Sequence, residues 1–174
     1  WREYGHVQIN QEVRDRPFKR PLSLDMIIEY SSFAPKEPHD VLFEDTLLPL
    51  CSPKFEEKNI TSLQTLSKSH LIHLDAKETN WTSWTNWFVT LGFVGEVSVR
   101  HRVNNYSIAL QLAQDGMGVV LGWKKLVAPL IENGSLVPLT NYEIKAPGKF
   151  YLIRSNGNPK KYSKIFSDWL VLQK

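Results

Sequence analysis

At 174 residues, with 42% hydrophobic and 22% charged side chains, the chain has the length of one or two compact domains and an ordinary globular composition, which excludes a disordered or fibrous protein. A net charge of +3 is too small to imply nucleic-acid binding by itself. The single cysteine, Cys51, excludes an internal disulfide and a cysteine-rich metal site, and no apolar run approaches the roughly 18 residues of a membrane span.

Val7, Ile9 and Val13 alternate with Gln8, Asn10 and Glu12, the period of a half-buried strand. After a loop with Pro17 and Pro21, residues 22–30 read as a more buried strand, and a second loop carries Pro35 and Pro38. Residues 41–50 are strand-like up to Pro49 and Pro53, residues 62–66 make a short helix, and residues 71–74 a short buried strand. Trp84, Trp87, Phe88 and Leu91 share one helix face, which Gly92 ends. Residues 97–99 alternate as a strand. A helix over 107–115 follows, with Ile108 and Leu112 on one side and Gly116 as its cap, and then a strand over 119–121. Leu126, Val127, Leu130 and Ile131 predict a helix bent at Pro129, and residues 150–153 a strand. Asn158-Pro159 opens a last helix in which Tyr162, Ile165, Phe166, Trp169 and Leu170 follow the helical spacing, the last four expected to face the core. Strands alternate with helices through most of the chain, as in an α/β protein with a largely parallel sheet.

Catalytic and cofactor motifs fail one by one. Gly116-Met117-Gly118 ends a helix and begins a strand, the reverse of the order that aims amide N–H groups at a phosphate. None of His6, His39, His70, His73 and His101 has a second ligand at helical spacing, so no metal site is expected. Cys51 is read as a small buried hydrophobe, although His73 nearby would make it a nucleophile. The basic groups Arg14, Arg16, Lys19, Arg20 and Lys160, Lys161, Lys164 read as solvated surface. Trp84 and Trp87 lie on an apolar stripe and read as core, leaving Trp81 as an exposed residue.

Several segments resemble one family in their joint order. Leu24-Asp25-Met26-Ile27-Ile28 is similar to the "D-x-A-I" strand of LysR-type transcriptional regulators, and residues 47–55 (LLPLCSPKF) to their "x-P-V-C-S-P" segment. Residues 62–72 resemble the family's "s-L-x-x-L…h-p-L-I" stretch, and residues 110–122 its "L-x-A-x-x-G-x-G-V-x-L-G" stretch. Phe150-Tyr151-Leu152 and Phe166-Ser167-Asp168-Trp169-Leu170 are similar to its closing patterns. The stretch from Leu71 to Trp87 looks most like the subgroup of glycine-cleavage and β-lactamase activators.

This resemblance implies an effector-binding domain with the two-lobed type 2 periplasmic-binding-protein-like fold, mixed sheets flanked by helices closing on a small molecule. Residues 1–51 and 155–174 would form lobe I and residues 52–154 lobe II. The parent's N-terminal helix-turn-helix domain, and the usual first strand and most of the first helix, have no counterpart in the sequence, and residues 1–4 look like that helix's tail. By position at strand ends and helix N-termini, the expected ligand-binding residues are Tyr30, Ser31, Ser32, Asp75, Thr79, Asn104, Asn105, Ser107 and Trp123. Helix capping is an equal reading of Asn104, Asn105 and Ser107. The implied partners are a small-molecule effector (an amino acid, a carboxylate or another small anion), further copies of the chain in a homodimer or homotetramer, and promoter DNA only through the parent's N-terminal domain. Pairing would set residues 1–4 and the strand from Val7 to Val13 against the outer face of the 108–114 helix. A cytoplasmic, non-enzymatic protein without cofactor, metal or membrane contact is expected, and the chain alone should not read duplex DNA. A transport solute-binding protein and an enzyme on the same scaffold are the alternatives.

Overall fold

The computed structural model describes residues 24–55, 60–75, 81–139, 141–155 and 160–173, and the backbone of residues 7–10. The elements run β1 (Val7–Asn10), β2 (Met26–Ser31), β3 (His39–Cys51), α1 (Leu63–Leu66), β4 (Leu71–Leu74), α2 (Trp84–Thr90), β5 (Val99–Val103), α3 (Tyr106–Gln114), β6 (Val119–Trp123), α4 (Ala128–Glu132), β7 (Val137–Pro138), β8 (Ile144–Arg154) and α5 (Lys161–Val171).

The described residues fall into two compact units, one holding those up to Glu44 and from Pro147 onward, the other those from Asp45 to Ala146. The boundaries fall inside β3 and β8, so each of these strands contributes to both units. In the first unit β1 pairs in parallel with β2, and β2 antiparallel with β8, Met26 opposite Arg154 and Ser31 opposite Lys149. In the second, β3 pairs antiparallel with β6 and β7, and β6 and β5 flank β4 in parallel. The sheet is mixed, not largely parallel, because the long strands β3 and β8 return against their neighbours.

Local chemistry sets the helix ends. Ser62 and Thr65 form a reciprocal capping box on α1, and Ser83 accepts from the amide of Asn86 at the start of α2. Gly92 and Gly116, at φ +75° and +78°, end α2 and α3 in paired closures: Phe93 N–H donates to the Phe88 carbonyl and Met117 N–H to that of Leu112. Pro129 lies in the first turn of α4, where its missing N–H costs nothing, so it starts the helix instead of bending it.

Two other expectations are corrected, the range of β5 and the inner face of α5, and the structure also defines the inner face of α3. The strand expected over 97–99 runs from Val99 to Val103. Helix α3 turns Ala109 and Ala113 inward, onto a core of Leu48, Leu50, Ile72, Val120, Val127 and Leu136, and leaves Ile108 exposed. Alanines let the helix lie close to the sheet, which Ile108 would prevent. Helix α5 buries Ser163 and Ser167, while Tyr162, Ile165, Phe166 and Trp169 are exposed. Ser163 Oγ donates to the Asp25 carboxylate at 2.5 Å, fixing the polar side inward.

Candidate functional site

Because β4 runs parallel to both β5 and β6, the chain leaves all three strands at one edge of the second unit, through Asp75, Asn104 and Trp123–Lys124. Such carboxyl edges are where α/β sheets present loops and helix N-termini to ligands. Helix α3 starts two residues after β5. Asn105 caps it, its Oδ1 accepting from the amides of Ser107 at 2.9 Å and Ile108 at 3.3 Å, so the capping reading of Asn105 holds. Asn104, Asn105 and Ser107 are all exposed beside the positive end of that helix.

Next to this edge stands an aromatic cluster. The rings of Trp81, Tyr106 and Trp123 pack edge-to-face in a triangle with centroids 4.5 to 5.1 Å apart. Trp81, expected to be exposed, is half-buried here, because Trp123 and Tyr106 offer ring faces that a helical wheel does not show. Tyr106 Oη accepts from the Trp123 amide at 3.2 Å, and burial pushes its phenol well above the ordinary value, so the hydroxyl keeps its proton. Buried Asp45 holds the turn after β6, its two carboxylate oxygens each accepting from Lys125 N–H at 3.0 Å. Trp81 Nε1 and Thr82 Oγ1 are buried without a hydrogen-bond partner among the described residues. Both residues line a small cavity with His73, Leu74 and Trp123, of about 20 Å³, room for one water.

Charge at the edge comes from His73, Asp75 and Arg102. Asp75 N–H donates to the Val103 carbonyl at 2.6 Å, and its carboxylate lies 4.0 Å from the exposed Arg102 guanidinium, a contact too solvated to stabilise much. Burial lowers the pKa of His73, the Arg102 charge lowers it further, and Asp75 opposes both. Its imidazole therefore favours the neutral form more than a free histidine does.

The expected site residues divide accordingly. Asp75, Asn104, Asn105, Ser107 and Trp123 sit at this edge. Tyr30 and Ser31 are buried in the first unit, Tyr30 Oη accepting from Gly148 N–H at 3.0 Å and Ser31 Oγ from Phe33 N–H at 3.2 Å, while Ser32 is exposed. Thr79 lies outside the described residues, as do His6 and the basic cluster from Arg14 to Arg20. Sequence reasoning missed Trp81, Tyr106, His73 and Arg102 as neighbours of the edge. The residues flanking each strand end were the available signal. Burial pushes the Cys51 thiol up to about 11, which removes it as a ready nucleophile. Among the described residues no group of three His, Cys, Asp or Glu could hold a metal ion, and no helix is long and apolar enough to cross a membrane.

Solved structures share this architecture. The effector domain of the transcriptional regulator AmpR of Pseudomonas aeruginosa superposes with a TM-score of 0.68 at 22% identity, covering 86% of this chain and 71% of that one. The AmpR effector binding domain from Citrobacter freundii gives 0.70 at 23% identity (86% and 74% covered), and the regulatory domain of HypT from Salmonella typhimurium 0.61 at 20% (84% and 71%). No curated protein sequence matches the chain. These likenesses define the class, a periplasmic-binding-protein-like mixed α/β fold. The family model of the LysR substrate binding domain matches residues 7–172, and the chain belongs to that family. It is an effector-binding domain of the LysR-type transcriptional regulators, for which ligand binding is characteristic.

Proposed function

We propose that the effector is a small carboxylate or amino acid, and that its anionic group docks at the carboxyl edge of the second unit. The observation carrying this reading is the convergence there of the α3 N-terminus, the exposed amides and hydroxyl of Asn104, Asn105 and Ser107, and the Arg102 guanidinium. Trp123 and Trp81 would supply an apolar wall; Ser32, exposed on the first unit, and Thr79, outside the described residues, stay candidates in their own right. Tyr30 and Ser31 would act by holding the backbone at the end of β2, since both are committed to internal hydrogen bonds. In this reading the two units are the two lobes, and the chain senses without catalysing. It works in the cytoplasm, and DNA is read by a separate domain of the regulator. The 71–87 stretch supports placement near the glycine-cleavage and β-lactamase activators. The exposed Ile108 supports a homodimer or homotetramer contact through the outer face of α3.

A thermal-shift screen of amino acids, small carboxylates and muropeptides tests the reading, with tryptophan emission followed in parallel. An effector at 100 times its Kd adds about 2.7 kcal/mol of apparent stability. It should also perturb Trp81 and Trp123 emission and bind at least tenfold more weakly to an Asn104→Ala/Ser107→Ala variant. A stabilising ligand indifferent to Asn104, Ser107 and Arg102 would move the site elsewhere.

A further inference from the structure

The second unit has a larger opening at the other end of the same strands. Parallel β4 and β5 begin at Leu71 and Val99, and the segments that lead into them, 64–68 and 93–98, line a cavity of about 710 Å³. It lies at the amino edge of these strands, roughly 15 Å of chain from the carboxyl edge where Asp75 and Asn104 stand. The volume is that of a small-molecule site. Its frame is held by bonds already made. Ser98 N–H donates to the Ser67 carbonyl at 2.8 Å, and buried Ser67 donates through Oγ to the Gln64 carbonyl at 3.1 Å. Phe93 walls one side, its ring against Phe88 with centroids 5.1 Å apart and over Gly95, where a Cβ would stand 2.7 Å from the ring.

Two opposite charges face this space unused. Lys68 and Glu96 both line it and both are exposed, yet no ion pair joins them, and neither side chain has a hydrogen bond or charged partner among the described residues. Gln64 and Ser98 add an uncharged amide and a hydroxyl to the lining. Glu96 would repel a simple anion and Lys68 a simple cation, while a purely apolar ligand would leave both charges without use. We infer that the cavity binds a small zwitterion with an apolar side chain, a free amino acid or a short peptide. Its carboxylate goes to Lys68, its ammonium to Glu96 and its side chain onto the Phe93 ring. Gln64 and Ser98 can donate to and accept from a peptide group where the ligand carries one. Exposed charges attract weakly through water, so the Kd is on the order of 1 mM. The site is separate from the effector edge and stands whether or not that edge binds an anion.

Heteronuclear amide NMR of the 174-residue chain, titrated separately with L-leucine and with alanyl-leucine, is the test. The probes should shift the amides of residues 64–68 and 95–98, and the tighter of the two identifies the source of the zwitterion. Lys68→Gln and Glu96→Gln should each weaken binding about threefold. Gly95→Ala should weaken it as well, by displacing the Phe93 ring while both charges stay in place. Isocaproate, which lacks the ammonium, and isoamylamine, which lacks the carboxylate, should each bind about threefold more weakly than leucine. All three substituted positions are exposed, and far-ultraviolet dichroism checks that the variants fold. Shifts confined to residues 104–107 overturn the proposal in favour of the effector edge. Amides at the cavity unmoved by either probe at about 20 mM overturn it outright. Isocaproate binding the cavity as tightly as leucine, or binding indifferent to both charge variants, overturns the zwitterion.

Discussion

Helix α2 spaces Trp84, Trp87 and Phe88 at i, i+3 and i+4, and α5 spaces Tyr162, Ile165, Phe166 and Trp169 in the same way. In α2 the three residues are 2%, 0% and 1% exposed, whereas the four of α5 range from 38% to 55%. What differs is the surface each helix meets. The α2 stripe lies over strands that offer carbonyls to its indoles, Trp84 Nε1 donating to Ile72 O at 2.9 Å and Trp87 Nε1 to Leu47 O at 3.3 Å. Apolar area and ring N–H groups are satisfied there together. On α5 the inward positions are serines, Ser163 donating to the Asp25 carboxylate and Ser167 to the Lys164 carbonyl, so the large side chains go outward. Helical period says which residues share a face. It does not say which face is inside.

Truncating the two tryptophans should separate these helices most. Trp87→Ala should cost about 3–5 kcal/mol in urea unfolding, through the lost transfer energy and the cavity left behind. Trp169→Ala, measured at a concentration that keeps the chain monomeric, should cost less than about 1 kcal/mol. Equal losses would break the comparison and place Trp169 in a core.

The close packing of the second unit makes a smaller prediction. A Cβ at Gly118 would stand 2.2 Å from the His70 carbonyl oxygen, a backbone atom that accepts from Val119 N–H at 2.8 Å and cannot swing aside. Gly118→Ala should therefore cost about 1–3 kcal/mol, read as a lowered Tm. An unchanged melt would mean that β4 and β6 sit further apart at this point.

The smallest effect concerns pH. His73 has a folded pKa below its ordinary 6.5, from burial first and the Arg102 charge second, partly offset by Asp75. Below pH 6.5 the unfolded chain binds this proton more readily than the folded one. Stability is full above 6.5 and is lost as pH falls beneath it. Unfolding free energies between about pH 5 and 8 should show that loss in wild type and less of it in His73→Gln. An identical acid slope in both would place the titrating group elsewhere.

Much of this protein is decided within a few residues of chain. Ser62, Ser83 and Asn105 cap helices through bonds spanning three residues or fewer, and Gly92 and Gly116 close them over five, so helix starts and stops were legible. The ordered family segments were legible too, as was the placement of Asp75 and Trp123 at the ends of their strands and of Asn104 before its helix, because those elements can be read locally. Tertiary structure alone decided which faces went inside and which neighbours met. Trp87 reaches Leu47 across 40 positions, Lys125 reaches Asp45 across 80, and Ser163 reaches Asp25 across 138. Distant neighbours likewise set the inward turn of Ala109 onto Leu48 and Leu50, the half-burial of Trp81 against Tyr106 and Trp123, and, through Asp25, the outward stripe of α5. Burial is a property of the surface a side chain meets, and the sequence around that side chain does not contain the surface.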